Sequence, residues 1–334
     1  MNLYPLKFHP RFVEKMWGGR KLQTVLGKAL PPDKPIGESW ELYDFPPGIV
    51  EGSSDWVSSV IANGPLAGKT LHWAVQEFRS DLLGHAKPAG THGQFPLLIK
   101  FLDAREDLSV QVHPDEEYAR EHPEAHLKTE AWYVMQHDPD SRLFKGLHPD
   151  TSRESFADAI THGQVEQHLQ SVSANVGDCH YLPSGTVHAL GAGMLVAEVQ
   201  TPSDTTFRVY DFNRIDPSTG KQRKLHVNEA MRCIQFEHRT EQPAGALAPG
   251  VLVTSPFFQI SSTSVRAGRK EQIEGSEPIV LIMLEGRAVV RAAESFEPVE
   301  IKRGDTVLIP AALSSSTVEA DVDCEMLKVS IPRR

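Results

Sequence analysis

Cysteine is nearly absent. Cys179, Cys233 and Cys324 are too few and too scattered for a disulfide framework, and no two have zinc-ribbon spacing. Positive charge is also short: 34 Lys and Arg stand against 44 Asp and Glu, a formal net charge of −10. That balance excludes the broad basic surface of a general nucleic-acid binder. A few well-placed cations would still hold an anionic small molecule. Long apolar runs are missing too. None approaches membrane-spanning length, and the opening Met1-Asn2-Leu3-Tyr4-Pro5-Leu6-Lys7 lacks the apolar core of a signal peptide. The expectation is a cytoplasmic protein with neither a nucleic-acid nor a membrane partner. What is present is ordinary for a globular fold: 40% hydrophobic and 23% charged residues over 334 positions, enough for two domains and a sizeable core.

Short apolar runs punctuated by Gly and Pro dominate, so the chain reads as mainly β. Leu71, Ala74, Val75, Phe78 and Leu82 fall at helical spacing between Lys69 and Leu83, with Gly84 as a stop. Gly68-Lys69-Thr70 ahead of them imitates a phosphate loop, but Asn63 stands where that loop needs its first glycine. Thr151-Ser152-Arg153-Glu154 has the form of a capping box, which makes residues 150–172 a helical insertion between strands. Gln242 to Gly250, rich in Pro, Ala and Gly, reads as a linker. It divides the chain into a domain over 1–245 and a smaller β domain over 246–334. Gly304-Asp305 to Pro310 repeats the glycine-to-proline spacing of Gly177-Asp178 to Pro183, with Leu313 taken to stand where His188 stands. The second copy is thus a frame without a ligand.

Three stretches carry chemistry. In Ser109-Val110-Gln111-Val112-His113-Pro114, Gln111 and His113 are two apart, so a strand sends both from one face. Glu130 follows seventeen residues later, directly before the strand Ala131 to Met135. His188 emerges from the turn shaped by Pro183 and Gly185. An amide oxygen, two imidazoles and a carboxylate form a donor set for zinc or a neighbouring divalent ion rather than calcium. Taken singly, each histidine of a chain with 15 is a packing or surface residue. Lys100, embedded in Phe95 to Leu102, is either an edge lysine or one aimed into a polar cavity. Arg208 suits a phosphate, or else pairs with Asp204 or Asp211. Trp17, beside Gly18 and Gly19, reads first as packing.

The pattern Gly177, Pro183, Gly185, His188 resembles the second cupin motif, though Ala192 replaces its usual asparagine. Gln111-Val112-His113 in place of His-x-His, with Lys128-Thr129-Glu130, resembles the type I phosphomannose isomerases, in particular the short bacterial forms. Ser203-Asp204-Thr205-Thr206-Phe207-Arg208-Val209-Tyr210-Asp211-Phe212, Trp17-Gly18-Gly19 and Gly37-Glu38-Ser39-Trp40 are similar to further signatures of that family. The resemblance spans most of the chain and implies two jelly-roll barrels of the cupin type. It also implies one zinc held by Gln111, His113, Glu130 and His188. Lys128 and Arg208 would lie near a sugar phosphate, with Glu198, Asp204, Lys100 and Trp17 lining the pocket. Longer members carry a tyrosine where this chain has Leu190, so no role for that tyrosine transfers.

The implied reaction interconverts mannose 6-phosphate and fructose 6-phosphate through a cis-enediol. It needs charge stabilisation at a sugar oxygen and a base beside C1 and C2. Glu198 and Lys128 both qualify as that base. A metal-dependent oxygenase and a non-catalytic sugar-binding or regulatory cupin are the alternatives. Oligomeric state is not legible from the sequence.

Overall fold

The computed structural model describes residues 3–50, 52–217, 219–237, 247–292, 297–313 and 315–332. The protein is mainly β, and its sheets stack in four layers. The first layer has five strands, in the order Leu169–Ser173, Arg142–Leu147, His188–Leu190, Val110–Val112, Phe207–Tyr210. The second has six: Cys179–Leu182, Glu130–His137, Met194–Gln200, Leu98–Ala104, Arg11–Gly19 and Ile36–Leu42. The third, also six-stranded, is built from Leu6–Lys7, Thr306–Ile309, Ile279–Glu285, Cys324–Ser330, Gln259–Val265 and Val251–Thr254. Four strands, Lys270–Glu274, Ser315–Ala320, Arg287–Ala292 and Val299–Lys302, close the stack.

Alternation along the strands decides what fills each gap. In Met194–Gln200, Leu195, Ala197 and Val199 point towards the third layer, where they join Phe101, Ile282, Leu308 and Val329 in one core. Met194 and Val196 point the other way, packing with Trp17, Leu102, Trp132, Leu143 and Leu190 between the first two layers. Glu198 and Gln200 share that inner face, which is why two polar residues of this strand end up inside a sandwich. Leu281, Met283, Val290, Val307, Val318 and Met326 fill the gap between the third and fourth layers.

The helices cover outer surfaces. Arg153–His162 and Val227–Cys233 bring Phe156 and Ala230 against Val110, Val112 and Val209 on the outside of the five-stranded sheet. The cap of Arg153–His162 is shifted from the expected box. Ser152 accepts from Ser155 N, and Ser155 returns the bond, because Ser152 holds the extended backbone a cap needs. The expected insertion over 150–172 also ends early: a 3-10 turn covers Val165–His168, and Leu169–Ser173 is already a strand. Lys69 to Leu83 is two helices, Leu71–Phe78 and Ser80–Leu83, broken where Arg79 adopts φ 44°. Thr70 caps the first by accepting from Trp73 N at 3.1 Å, so the loop-like Gly68-Lys69-Thr70 is a helix start.

Leu6–Lys7 pairs with Leu308 and Val307, so the N-terminal segment belongs to the sheet otherwise made of residues after 246. Much of the expected linker lies outside the described residues, which omit 238–246. The glycine-to-proline turn does recur, with Gly177 at φ 97° and Gly304 at φ 82°. Counting equal spacing from the two glycines, however, sets Ser315 and not Leu313 opposite His188. No helix among the described residues is long and apolar enough to cross a membrane.

Candidate active site

Two sheets supply the site from opposite sides. His188 lies directly across from Gln111 on one flank, and Arg208 lies across from Gln111 on the other. Directly opposed residues on antiparallel strands share a face with Cα atoms about 5 Å apart. His188, Gln111 and Arg208 therefore form one inward row on the five-stranded sheet. His113 follows Val110–Val112, and the Pro183 turn is locked onto it through Gly185 N donating to His113 O at 3.0 Å. Glu130 arrives from the facing sheet, paired with Gln200.

The donors converge. Nε2 of His188 is 3.1 Å from Glu130 Oε1, and Nε2 of His113 is 3.4 Å from Glu130 Oε2. One ligand atom from each of the three lies within 4.8 Å of the others, and all three residues are buried. The Gln111 amide comes within 3.4 Å of His188 Nε2. Turning that amide over would present its oxygen to the same point. Nδ1 of His188 is 2.9 Å from the carbonyl of Thr186, a contact that puts the proton on Nδ1 and leaves Nε2 to face Glu130 as a lone pair. Both ring nitrogens of His113 are buried without a hydrogen-bond partner among the described residues. Burial, with Lys128 nearby, lowers the His113 pKa to about 3 and keeps the ring neutral. A neutral imidazole buried without a partner is costly unless a cation completes it. These residues fit a divalent metal.

Around these donors runs a chain of buried charges. Lys128 Nζ is 3.0 Å from Glu130 Oε2. Burial alone would raise the Glu130 carboxyl, but Lys128 and His113 outweigh it and hold it well below the usual range. On the six-stranded sheet, Trp132, Glu198, Lys100 and Trp40 stand in one cross-strand row. Lys100 Nζ lies 3.0 Å from Glu198 Oε1 and 3.7 Å from Glu38 Oε2. Trp132 Nε1 donates to Glu198 Oε2 at 2.7 Å, and Trp40 Nε1 donates to Glu38 Oε2 at 2.6 Å. Lys100 is thus turned into the polar interior and is not an edge lysine with its head in water. Burial opposes its charge, but Glu198 and Glu38 outweigh burial and raise its pKa. Burial, then the charge of Glu130, raises the Glu198 carboxyl against the pull of Lys100. Asp204 is raised by burial and by Glu38.

Arg208 Nη1 donates to the carbonyl of Lys224 at 2.9 Å. Asp211 is held instead by Arg214 at 2.6 Å and by Arg223 Nε at 2.7 Å. Trp17 is 4% exposed and belongs to the apolar cluster behind the charged row. Its glycine neighbours exist for close approach: a Cβ on Gly18 would meet Gly37 N at 2.4 Å, and one on Gly37 would meet the Trp17 ring at 2.6 Å. Leu190 is fully buried in the same cluster. Asp115 caps the helix Glu116–Glu121, accepting from Tyr118 N at 2.8 Å, so the acids after Pro114 form a first turn. A separate cleft of about 730 Å³, lined in part by Pro46, Lys87, His92, Gln94 and His126, takes in none of His113, Glu130 and His188.

This geometry can be set beside known proteins. The chain is 36% identical over 331 residues to a probable mannose-6-phosphate isomerase, GmuF, of Bacillus subtilis, covering 97% of this chain and 98% of the relative. It is 34% identical to the mannose-6-phosphate isomerase of Streptococcus mutans, with 96% of each covered. Residues 5–145 match the model of the phosphomannose isomerase type I catalytic domain. The chain belongs to the type I phosphomannose isomerases. It is an isomerase. The crystal structure of the Bacillus subtilis mannose 6-phosphate isomerase superimposes with a TM-score of 0.82 at 30% identity, covering 97% of this chain and 99% of that one. A putative mannosephosphate isomerase of Archaeoglobus fulgidus, 21% identical, shares the fold with a TM-score of 0.76.

Within this phosphomannose isomerase framework, the sequence motifs carry Glu38 and Trp40 but not Lys15 or Trp132, which also touch the charged row. Glu38 accepts from Trp40 and pairs with Lys15 at 3.2 Å as well as with Lys100. Trp132 fixes Glu198. The i, i+2 spacing of Glu38 and Trp40 was a usable signal for a shared face, while Lys15 and Trp132 become visible only through pairing of distant strands.

Proposed function

We propose that this isomerase interconverts mannose 6-phosphate and fructose 6-phosphate, using one zinc ion per chain held by Gln111, His113, Glu130 and His188. The observation that carries the reading is the buried convergence of these donors, from three separated stretches, in a chain whose relatives are named for that activity. Two imidazoles, one carboxylate and one amide leave a bound divalent ion with net positive charge. Such an ion supplies Lewis acidity towards a sugar oxygen that gains negative charge.

The chain's own residues do the rest. Glu198 is the base that moves a proton between C1 and C2 by way of a cis-enediol. Its raised carboxyl makes the carboxylate a stronger proton acceptor than a solvated one. Lys100 and the Trp132 indole fix its two oxygens. Lys128, set as an ammonium beside Glu130, is read as the hydrogen-bond donor to the oxygen that gains charge. Arg208, in the row of Gln111, takes the phosphate through its forked donors. Asp204 orients sugar hydroxyls, and Trp17 forms a packed wall behind Lys100. Residues 1–245 are read as the catalytic cupin jelly roll with its helical insertion, and 246–334 as a second, degenerate copy. Neither the oxygenase nor the binding-module alternative is favoured by any residue of the cluster.

The test is a Glu198→Gln enzyme with its metal content checked. Turnover of fructose 6-phosphate should fall by roughly 10²–10⁴-fold while zinc content stays at the wild-type value. Undiminished turnover would remove Glu198 from the proton path.

A further inference from the structure

The segment that follows the hairpin Ile215–Asp216 and Lys221–Gln222 meets Arg208 at three points. Arg208 Nη1 donates to Lys224 O at 2.9 Å. The Arg208 backbone N donates to Nδ1 of His226 at 3.3 Å, and His226 N donates to Arg208 O at 2.8 Å. His226 is also the N-cap residue of the helix Val227–Cys233, yet its side chain makes no capping bond. Position N-cap ordinarily selects a side chain that accepts from its own helix. Here the imidazole is turned across to the strand that carries Arg208.

We infer that His226 is a positioning residue for the isomerase reaction: as a neutral imidazole it fixes the strand at Arg208, and so sets the affinity of the site for the substrate's phosphate. The inference rests on the reading of Arg208 as the phosphate-binding residue. Nδ1 accepts from Arg208 N only while it carries no proton. A protonated ring loses that contact and places a second positive charge beside Arg208. The charged groups facing the ring are Arg208 on the strand, Lys224 on the approach and Glu229 in the helix's first turn. Burial and then Arg208 favour the neutral ring, with Glu229 opposing, which agrees with the geometry. The half-buried ring also lies beside Phe207, with centroids 6.2 Å apart. On acidification this arrangement weakens phosphate affinity through a group that touches neither sugar nor metal.

The experiment uses the zinc-loaded full chain and three variants, His226→Ala, His226→Asn and Arg208→Ala. Readouts are kcat, KM for fructose 6-phosphate and the inhibition constant of inorganic phosphate from pH 5 to 8, with thermal melting as a control for folding. One lost hydrogen bond corresponds to about 3- to 10-fold in affinity. His226→Ala should raise KM and the phosphate inhibition constant together by that factor, with a smaller change in kcat, and should lose the wild-type rise in KM at acid pH. His226→Asn, whose amide oxygen can occupy the place of Nδ1 but does not titrate, should restore the neutral-pH values without the acid dependence. Wild-type KM and phosphate inhibition in His226→Ala, alongside a large loss in Arg208→Ala, would overturn the inference and spare the reading of Arg208. Unchanged phosphate inhibition in Arg208→Ala would overturn that reading and the inference with it. If His226→Ala melts early and His226→Asn folds normally but keeps the acid rise in KM, the inference is overturned as well.

Discussion

The two sandwiches of this chain share a turn and differ in what they enclose. Between the first two layers lie Glu38, Lys100, Glu130, Lys128, His113, His188 and Glu198, all buried. Between the last two, the enclosed cluster is apolar, and the buried polar residues described after position 246 are Ser255, Thr306 and Ser316, none of them charged. Each half has a glycine with positive φ leading into a strand that a proline follows. The same turn therefore occurs beside two different interiors. One interior holds polar side chains at fixed distances, and each buried charge there must be matched by a partner. The other buries apolar side chains and supplies the sheet that backs the six-stranded sheet bearing Glu130 through the shared core of Leu195, Ala197, Ile282 and Leu327.

Several changes would break or sharpen this contrast. The largest effect is expected from His188→Ala. A direct ligand should cost more than the roughly 10–100-fold in metal affinity typical of an outer partner, with loss of turnover and with little change in the stability of the metal-free fold. Metal analysis and an isomerisation assay on the same sample check this. Next comes Glu38→Gln. Burial would raise the Glu38 carboxyl, but Lys100 and Lys15, with the Trp40 indole, hold it at about 2. Removing that charge leaves Lys100 with one partner and should cost about 3–5 kcal/mol, read from a denaturant midpoint.

Acid should act in the same direction. Glu38 has its pKa lowered from 4.5 on folding, so its contribution is fully present above about pH 4.5 and lost as pH falls towards 2. His113, lowered from 6.5 to about 3, adds a loss that begins as metal-free protein is taken below about pH 6.5. Urea titrations at several pH values would show that slope, and a flat profile would contradict it. In the apolar sandwich, Met326→Ala should cost about 2–5 kcal/mol through its cavity while leaving the chemistry in place. Kinetics on the folded variant test the separation. The smallest effect belongs to Ser152→Ala, about 1 kcal/mol of lost capping, read by thermal melting.

Local rules made the converging donors legible. Gln111 and His113 share a face because strand side chains alternate, and His188 follows a turn whose Pro and Gly are readable in isolation. The same alternation divides Met194–Gln200 into its two faces. What escaped depends on pairing between distant segments. Nothing local to Lys15 or Trp132 announces that strand register will set them against Glu38 and Glu198. His226 looked like any surface histidine until Phe207–Tyr210 was laid beside it. The annexation of Leu6–Lys7 by the distant sheet is likewise a long-range pairing, decided by burial of Leu6 against the C-terminal strands. The cap at Ser152 was missed by one residue because Thr151 and Ser152 offer similar side chains, and backbone geometry chose between them.

The central claim is that four side chains hold one divalent ion on which isomerisation depends. Chelated protein should be titrated with zinc while fructose 6-phosphate conversion is followed in the same samples. Activity is expected to rise from background in proportion to zinc and to stop at one ion per chain, and His113→Ala should show no such rise. Full conversion by protein stripped of metal would contradict the account.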